Sequence, residues 1–254
     1  MKKASFIGAD RPLLCAMLQE KTIDDAIKMI QNCRFDGAEA FGIQMEFIER
    51  KYRNEEDLTR LMKACCGLPV YVTSYRGYES TGYTDDECMD YLLLCVKCGA
   101  TLCDVMADTY DAQPDGITFD AKAIEKQKAI IKKIQDAGGE VVMSTHFPDF
   151  RDKETVYATA KAQAERGADM VKIVNFAHDD EQFVANVEMC VNLKNVTDKP
   201  YLFLTSGEKG RFLRQTGGKL GCSMYLCVYQ YERTYSLDQP KLRCQKLIRD
   251  NMNL

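Results

Sequence analysis

The strongest constraint on the fold is a regular alternation of two hydrophobic patterns along the 254 residues of the chain. Short runs rich in β-branched and aromatic residues, bounded by Gly, Pro or Asp, alternate with segments whose apolar residues recur at helical spacing. The predicted strands are 12–17, 37–43, 69–75, 101–107, 140–146, 169–176, 200–206 and 221–228. The predicted helices lie near 23–33, 55–65, 84–98, 120–137, 153–166, 179–194, 210–216 and 239–251.

Eight β-then-α units of roughly 30 residues each are typical of an α/β protein of the TIM (β/α)8 barrel class. Thr22, Thr84 and Asp179 stand where N-caps are expected, and Gly99 and Gly138 stand where helices should end. A doubly wound sheet is the alternative, but no G-x-G-x-x-G follows the first strand. We therefore predict that residues 1–254 form a single (β/α)8 barrel domain.

Composition and charge narrow the class of partner. The net charge of −4 and the sequence pI near 5.4 argue against a nucleic-acid-binding protein. No apolar run approaches the roughly 20 residues that span a bilayer, and the first ten residues lack the apolar core of a signal peptide. Cytoplasmic location and a small-molecule partner are the expectation.

The twelve cysteines indicate reduced thiols in a cytosolic protein, with most of them buried. Cys95 and Cys98 have C-x-x-C spacing, but no second pair or histidine pair stands at zinc spacing. The sequence therefore predicts small core residues here and no metal site.

Lys172 is the clearest candidate for chemistry, because it interrupts the apolar run of the sixth predicted strand. If Val171 and Ile173 face the helices, Lys172 points into the barrel. Burial favours a neutral amine, which is the nucleophile that forms an imine with a ketone or aldehyde. A lysine at a strand end paired with a carboxylate is the structural alternative.

His146 ends the fifth predicted strand and is one of two histidines. Its strand neighbours that of Lys172, and the active sites of barrels lie at the carboxyl ends of the strands. A histidine beside an imine is suited to move protons near neutral pH. His178, by contrast, is interpreted as a loop or helix-cap residue.

Three further charged residues are candidates for substrate binding. Glu39 is expected to face the interior from the second strand, with Arg76 from the end of the third strand as its partner. Arg214 follows the seventh strand, where barrels often hold anionic groups, and its guanidinium suits a carboxylate.

The order of these residues resembles the type I 3-dehydroquinate dehydratases. The resemblance runs from Pro12 to the C-terminus, and its most specific part is Val-Met-Ser-x-His ending at His146, followed by Asp-x-x-Lys ending at Lys172. The resemblance implies a (β/α)8 barrel without a metal or organic cofactor. It also implies a lysine that forms an imine with the ketone of the substrate, and a histidine that moves the proton in a syn loss of water. The reaction converts 3-dehydroquinate to 3-dehydroshikimate in the shikimate pathway of aromatic amino acid biosynthesis. The family's habit of pairing implies a homodimer.

The resemblance also implies roles for individual residues. Lys172 forms the imine and His146 is the general base and acid, while Glu79 orients the histidine. The residues that bind substrate are Glu39 and Arg76 at its hydroxyls, Arg214 at its carboxylate, and Ser236 and Gln239 from a lid loop.

Departures from the family pattern keep other functions open. Phe41 and Ile43 stand where the second strand usually has Arg and Asp, and Met106 replaces a Glu of the fourth strand. Phe41 is expected to face the interior. One alternative is another lysine-imine lyase or aldolase that acts on a less polar keto acid. A second, from a different class, is a non-catalytic relative that binds a small carbohydrate acid.

Overall fold

The computed structural model describes residues 4–231 and 237–252, and within them the chain forms eight strands and eight α-helices. The strands are β1 (Leu13–Leu18), β2 (Ala40–Gln44), β3 (Val70–Thr73), β4 (Leu102–Met106), β5 (Glu140–His146), β6 (Met170–Phe176), β7 (Tyr201–Ser206) and β8 (Met224–Cys227). The helices are α1 (Ile23–Phe35), α2 (Glu55–Ala64), α3 (Asp85–Cys98), α4 (Ala121–Asp136), α5 (Lys153–Glu165), α6 (Asp180–Asn192), α7 (Gly210–Thr216) and α8 (Leu242–Met252).

The strands form one parallel sheet that curls into a nearly closed barrel. Its order is β7-β6-β5-β4-β3-β2-β1-β8: each strand from β1 to β6 pairs with the next along the chain, β1 also pairs with β8, and β7 and β8 are the two edges of the described sheet. A helix follows each strand. The predicted TIM (β/α)8 barrel is confirmed.

Local signals place the helix ends as predicted. The hydroxyl of Thr22 accepts from the backbone N–H of Asp25 at 3.2 Å, and Thr84 forms a capping box with Glu87. Gly99, which follows α3, has φ +121°, a conformation that residues with a Cβ rarely adopt.

Three elements begin three residues later than predicted: β2, α8 and also β8, which begins at Met224 and not at Gly221, where φ is +118°. Strand β2 begins at Ala40 and not at Gly37, because Gly37 has φ +93° and its N–H bonds back to Arg34 O in the turn that ends α1. Helix α8 begins at Leu242, since Pro240 bonds through its carbonyl to Val228 N.

Alternate residues of the strands face the helices, and Phe41 is one of them. Phe41 packs in the core cluster that contains Ile23 and Ile30 of α1 and Leu58 of α2. Gly42 faces the interior, where an added Cβ would lie 2.1 Å from the Met17 sulfur. The expectation that Phe41 faces the interior is therefore wrong. Burial of its ring between barrel and helices stabilises the fold by about 1.5–3 kcal/mol.

The carboxyl ends of the strands meet at one mouth of the barrel, as in other TIM barrels. The last residues of β5, β6 and β7, which are His146, Phe176 and Ser206, line a pocket at this mouth. The helices of the described ranges include none that is long and apolar enough to cross a membrane.

Candidate active site

A pocket of about 360 Å³ opens at the carboxyl ends of the strands. Its floor is apolar on one side, where Met17, Leu204 and Leu226 lie, and polar on the other. The lining residues are Met17, Gln44, Tyr71, Thr73, Tyr75, His146, Phe147, Pro148, Lys172, Val174, Phe176, Leu204, Ser206, Arg214, Leu226 and Gln239.

Lys172 lies at the bottom of this pocket, on the interior face of β6. The parity predicted for the strand is observed, since Val171 and Ile173 pack in the core outside the barrel. The Lys172 residue is 4% exposed. A lysine this deep needs partners, because an unpaired buried ammonium is costly.

Three groups surround the amine. Lys172 Nζ donates to Tyr75 Oη at 2.8 Å, to Tyr71 Oη at 3.0 Å and to Asp104 Oδ2 at 3.0 Å. These partners come from β3, from the loop after it and from β4, so the amine is held from the opposite side of the barrel. Sequence reasoning singled out none of the three; the period-2 parity of β3 and β4 was the signal that points them inward.

Asp104 is the buried anion of the group. It accepts hydrogen bonds from Ser144 Oγ at 2.5 Å, from Tyr75 Oη at 2.6 Å and from Tyr71 Oη. Burial alone would raise the pKa of this carboxyl, but the Lys172 charge and the three hydroxyl donors hold the pKa below its usual value. Burial and the Asp104 charge raise the pKa of both tyrosines well above the ordinary value, so both phenols are protonated near neutral pH.

His146 stands at the rim of the pocket, above the amine. It lies two residues beyond Ser144 on β5, and Ser144 pairs with Lys172 across the sheet. Its ring meets the Tyr75 ring edge-on, with centroids 5.5 Å apart and an interplanar angle of 87°. The residue as a whole is exposed, but desolvation of the ring by the surrounding protein, with the charges of Lys172 and Arg214, lowers the pKa of His146 to about 3. The imidazole is therefore neutral near pH 7 and ready to accept a proton.

Arg214 of α7 supplies a buried cation to the opposite wall. Its Nε donates to Thr205 O at 3.1 Å, and an Nη lies 3.5 Å from Ser206 Oγ. Burial lowers the pKa of Arg214 to about 10, which leaves it charged near neutral pH. Gln239 lines the same pocket, and its buried amide oxygen has no hydrogen-bond partner within residues 4–231 and 237–252.

Glu39 does not belong to this pocket, and its expected placement is wrong. It precedes β2, at the amino end of the barrel, where its carboxylate bonds Arg249 at 2.5 Å and Arg11 at 2.6 Å and accepts from Leu14 N at 3.1 Å. The reason is position and parity: Glu39 lies just before β2 and has the outward parity of Phe41, so its carboxylate is held by the first strand and by α8.

Arg76 and Glu79 are also placed elsewhere. Arg76 pairs with Asp85 at 2.7 Å and with Asp108 at 2.9 Å, so the predicted pair with Glu39 is wrong. The carbonyl of Glu79 accepts from Arg50 Nε at 2.8 Å. Neither Arg76 nor Glu79 is among the described residues that line the pocket. Ser236 lies outside the described residues.

A neutral polar pair occupies the wall where Glu39 and Arg76 were expected. Gln44 and Thr73 line the pocket from β2 and β3, and both bond the buried carboxyl of Glu46, at 3.2 Å and 2.8 Å. Burial raises the pKa of Glu46. Gln44 has the same parity as the inward Gly42, whereas the sequence analysis expected Glu39 and Phe41 to face the interior and so did not single out Gln44.

The remaining candidates from the sequence lie outside the pocket. Cys95 is buried in α3 and all twelve cysteines are free thiols. The part of the chain that the structure describes contains no group of three His, Cys, Asp or Glu arranged to hold a metal ion. His178 is exposed and bonds Asp149 at 2.6 Å outside the pocket.

The pocket therefore combines a buried amine, a neutral imidazole and a cation around one small cavity. The amine is a nucleophile once it loses a proton, the imidazole is a base, and the guanidinium binds an anion. Such a set suits a reaction in which a keto acid forms an imine and then exchanges a proton at the adjacent carbon.

Comparisons with known proteins point to one family. A sequence model of the type I 3-dehydroquinase family matches residues 14–232. A search of curated protein sequences returns no match.

Solved structures with the same fold include several 3-dehydroquinate dehydratases. The enzyme of Geobacillus kaustophilus is 15% identical with a TM-score of 0.83, over 97% of this chain and 93% of that one. The type I enzyme of Clostridium difficile, solved with covalently modified comenic acid, is 18% identical with a TM-score of 0.79, over 97% and 94%. The enzyme of Enterococcus faecalis is 15% identical with a TM-score of 0.75, over 98% of both chains.

Proposed function

The chain belongs to the type I 3-dehydroquinase family, a family of dehydratases, and we propose that its pocket removes water from 3-dehydroquinate through an imine on Lys172. The observation that carries this proposal is the position of Lys172: a buried amine beneath a neutral histidine, in a pocket that Arg214 also lines. The product is 3-dehydroshikimate.

The first step is imine formation. The amine of Lys172 attacks the ketone carbon, water leaves, and a C=N bond to Nζ replaces C=O. The positive imine nitrogen lies beside the Asp104 carboxylate, whose negative charge stabilises it in a site of low dielectric.

The second step is loss of water across the adjacent carbons. His146 takes the proton from the carbon next to the imine; the C–H electron pair forms a C=C bond and the π pair of C=N moves onto nitrogen, which gives an enamine. The hydroxyl of the next carbon then leaves as water with the proton that His146 returns. A single base on one face of the substrate gives the syn outcome. Water finally hydrolyses the product imine and frees Lys172.

The rest of the pocket orients the substrate. In this proposal Arg214 binds the substrate carboxylate through its fork of N–H donors. Gln239 and the neutral pair Gln44 and Thr73, which line the same pocket, hydrogen-bond its hydroxyls. No metal or organic cofactor enters these steps.

An absorbance assay tests the proposal, because 3-dehydroshikimate is a conjugated enone and 3-dehydroquinate is not. The purified protein should convert 3-dehydroquinate with a rising enone band, and Lys172→Ala should give none. Lys161→Ala, at an exposed position of α5, is the matched control and should behave as the wild type. A constant enone absorbance with the wild-type protein, or an unchanged rate in Lys172→Ala, would contradict the proposal.

A second candidate function is favoured by the composition of the pocket. Met17, Leu204 and Leu226 make one side apolar, while the predicted charged contacts of Glu39 and Arg76 lie elsewhere. A lysine-imine lyase or aldolase for a less polar keto acid fits this wall. Borohydride trapping with a panel of keto acids separates the two, since only the preferred acid should leave its mass on Lys172 at low concentration.

We further propose that the protein serves aromatic amino acid biosynthesis in the cytoplasm as a homodimer. The reduced, mostly buried cysteines support a reducing compartment. Light scattering coupled to size exclusion tests the dimer, which should give twice the 28.9 kDa of the chain.

A further inference from the structure

We infer that Tyr75 is a second acid–base residue of the site, which carries the protons of imine formation and release, while His146 serves the carbon chemistry. This inference rests on the proposed function. It assigns a catalytic role to a residue that touches the reacting nitrogen of Lys172.

Tyr75 connects the buried acid with the pocket. Its hydroxyl bonds Lys172 Nζ at 2.8 Å and Asp104 Oδ2 at 2.6 Å. The Asp104 side chain is 0% exposed, so a proton on that carboxyl has no direct path to solvent. The Tyr75 hydroxyl is therefore the group through which a proton on Asp104 reaches an oxygen bound next to Nζ.

Tyr71 has the same contacts but a different position. Its hydroxyl also bonds Nζ, at 3.0 Å, and Asp104, yet the residue is 1% exposed beneath the amine. Tyr75 is half-buried and its ring lies against His146 at the mouth. Of the two phenols, Tyr75 is the one on the side from which substrate arrives.

The proton balance of the imine step closes with these groups. The Lys172 ammonium gives one proton to Asp104, and the amine forms a C–N bond with the ketone carbon; a proton shift from nitrogen to oxygen gives the carbinolamine. Tyr75 gives its proton to the carbinolamine hydroxyl, the C–O bond breaks, water leaves, and the nitrogen lone pair forms the protonated imine. The Tyr75 oxygen then takes the proton from Asp104, which restores phenol and carboxylate. Hydrolysis of the product imine runs the same steps in reverse.

Rapid-quench trapping measures this step apart from dehydration. The full-length protein is mixed with 3-dehydroquinate and quenched into borohydride at increasing times. Intact-protein mass spectrometry then measures the fraction that carries the Lys172 adduct. Tyr75→Phe should slow adduct formation about 100-fold or more, the usual effect of a lost proton-transfer group. Tyr71→Phe, the matched control, should slow it about tenfold at most, the effect of one lost hydrogen bond.

A second variant keeps the shape of the site. Replacement of Tyr75 by 3,5-difluorotyrosine retains the ring contact but makes the phenol more acidic. Because the proposed acid must be protonated, the alkaline limb of the adduct-formation rate should move to lower pH in this variant. A residue that only supports Lys172 would leave the limb in place.

The outcomes are distinguishable. A wild-type rate of trapping in Tyr75→Phe, equal slowing by Tyr71→Phe, or an unmoved alkaline limb would overturn the role of Tyr75 and leave the proposed function standing. Absence of any adduct in the wild-type protein would overturn both.

Discussion

Lys172 and Asp104 form an ion pair inside the barrel, with Nζ 3.0 Å from Oδ2 and side chains that are 5% and 0% exposed. The pair joins β6 to β4 across the interior, and three hydroxyls complete the shell of the carboxylate. The reactive amine is therefore part of a buried network in which its charge and hydrogen bonds are satisfied, and it is not an isolated buried charge.

The first prediction concerns the stability of this pair. Asp104→Asn leaves the Lys172 ammonium without a counter-charge, and we expect a loss of about 3–5 kcal/mol in the free energy of unfolding. The double variant Asp104→Asn with Lys172→Met should lose less than the sum of the two single variants, because it removes both charges. Urea unfolding measures all three. Additive losses would show that the two side chains do not interact.

The second prediction concerns pH. A pKa of about 3 keeps His146 neutral, and so able to act as a base, at every pH well above that value. We therefore expect kcat/KM for 3-dehydroquinate to stay level as the pH falls from 7 to 5, with any loss from His146 protonation confined to pH values nearer 3. A pH series of initial rates measures it. An acid limb centred near 6.5, the ordinary value for histidine, would contradict the electrostatic account of the site.

The same shift has a consequence for folding. The folded-state pKa of His146 lies below the unfolded value, so its contribution to stability is present above pH 6.5 and is lost as the pH falls toward 3. His146→Gln should remove that part of the pH dependence. Urea midpoints at pH 7 and pH 5 should therefore differ less in the variant than in the wild type, and equal differences would argue against the shift.

The third prediction tests Arg214. Arg214→Lys keeps the charge but loses the fork that matches a carboxylate. We expect KM for 3-dehydroquinate to rise by about 10- to 150-fold, the effect of a lost charged hydrogen bond of about 1.5–3 kcal/mol, with a smaller change in kcat. Steady-state kinetics measure both constants. An unchanged KM would show that the substrate carboxylate does not bind Arg214.

The fourth prediction separates Glu39 from the site. Glu39 bonds Arg249, whose side chain is 4% exposed, at the amino end of the barrel. Glu39→Gln should lower the free energy of unfolding by about 1–3 kcal/mol, because Arg249 loses a charged partner, and should leave kcat/KM unchanged. A large loss of kcat/KM in a variant of normal stability would contradict this prediction and indicate that Glu39 contacts the substrate.

Sequence patterns predicted the barrel because its signals are local. Alternating periods mark each element, caps such as Thr84 mark helix ends, and the parity of β6 turns Lys172 inward. Those features depend on neighbouring residues along the chain and are legible without the fold.

The polar wall of the pocket could not be predicted from the sequence, because it depends on contacts between residues that are far apart along the chain. The inward and outward positions of β2 are the reverse of those predicted, so Phe41 faces the helices, while Glu39 precedes the strand at the amino end of the barrel. Parity turns Tyr75 and Asp104 inward, but they meet Lys172 because β4 and the loop after β3 lie across the barrel from β6, and no spacing along the chain shows which inward residues will meet. An arginine at position 41 would now place a charge among the helices, so Phe41→Arg is expected to destabilise the protein.

The central claim is that Lys172 forms a covalent imine with the keto substrate. Borohydride reduction in the presence of 3-dehydroquinate, followed by peptide mass spectrometry, tests it most directly. We predict the mass of reduced substrate on the peptide that contains Lys172, and none in Lys172→Ala or in Lys172→Arg, whose guanidinium stays protonated and does not attack. An unmodified Lys172 peptide from the wild-type protein, or an adduct that persists in Lys172→Ala, would contradict the account.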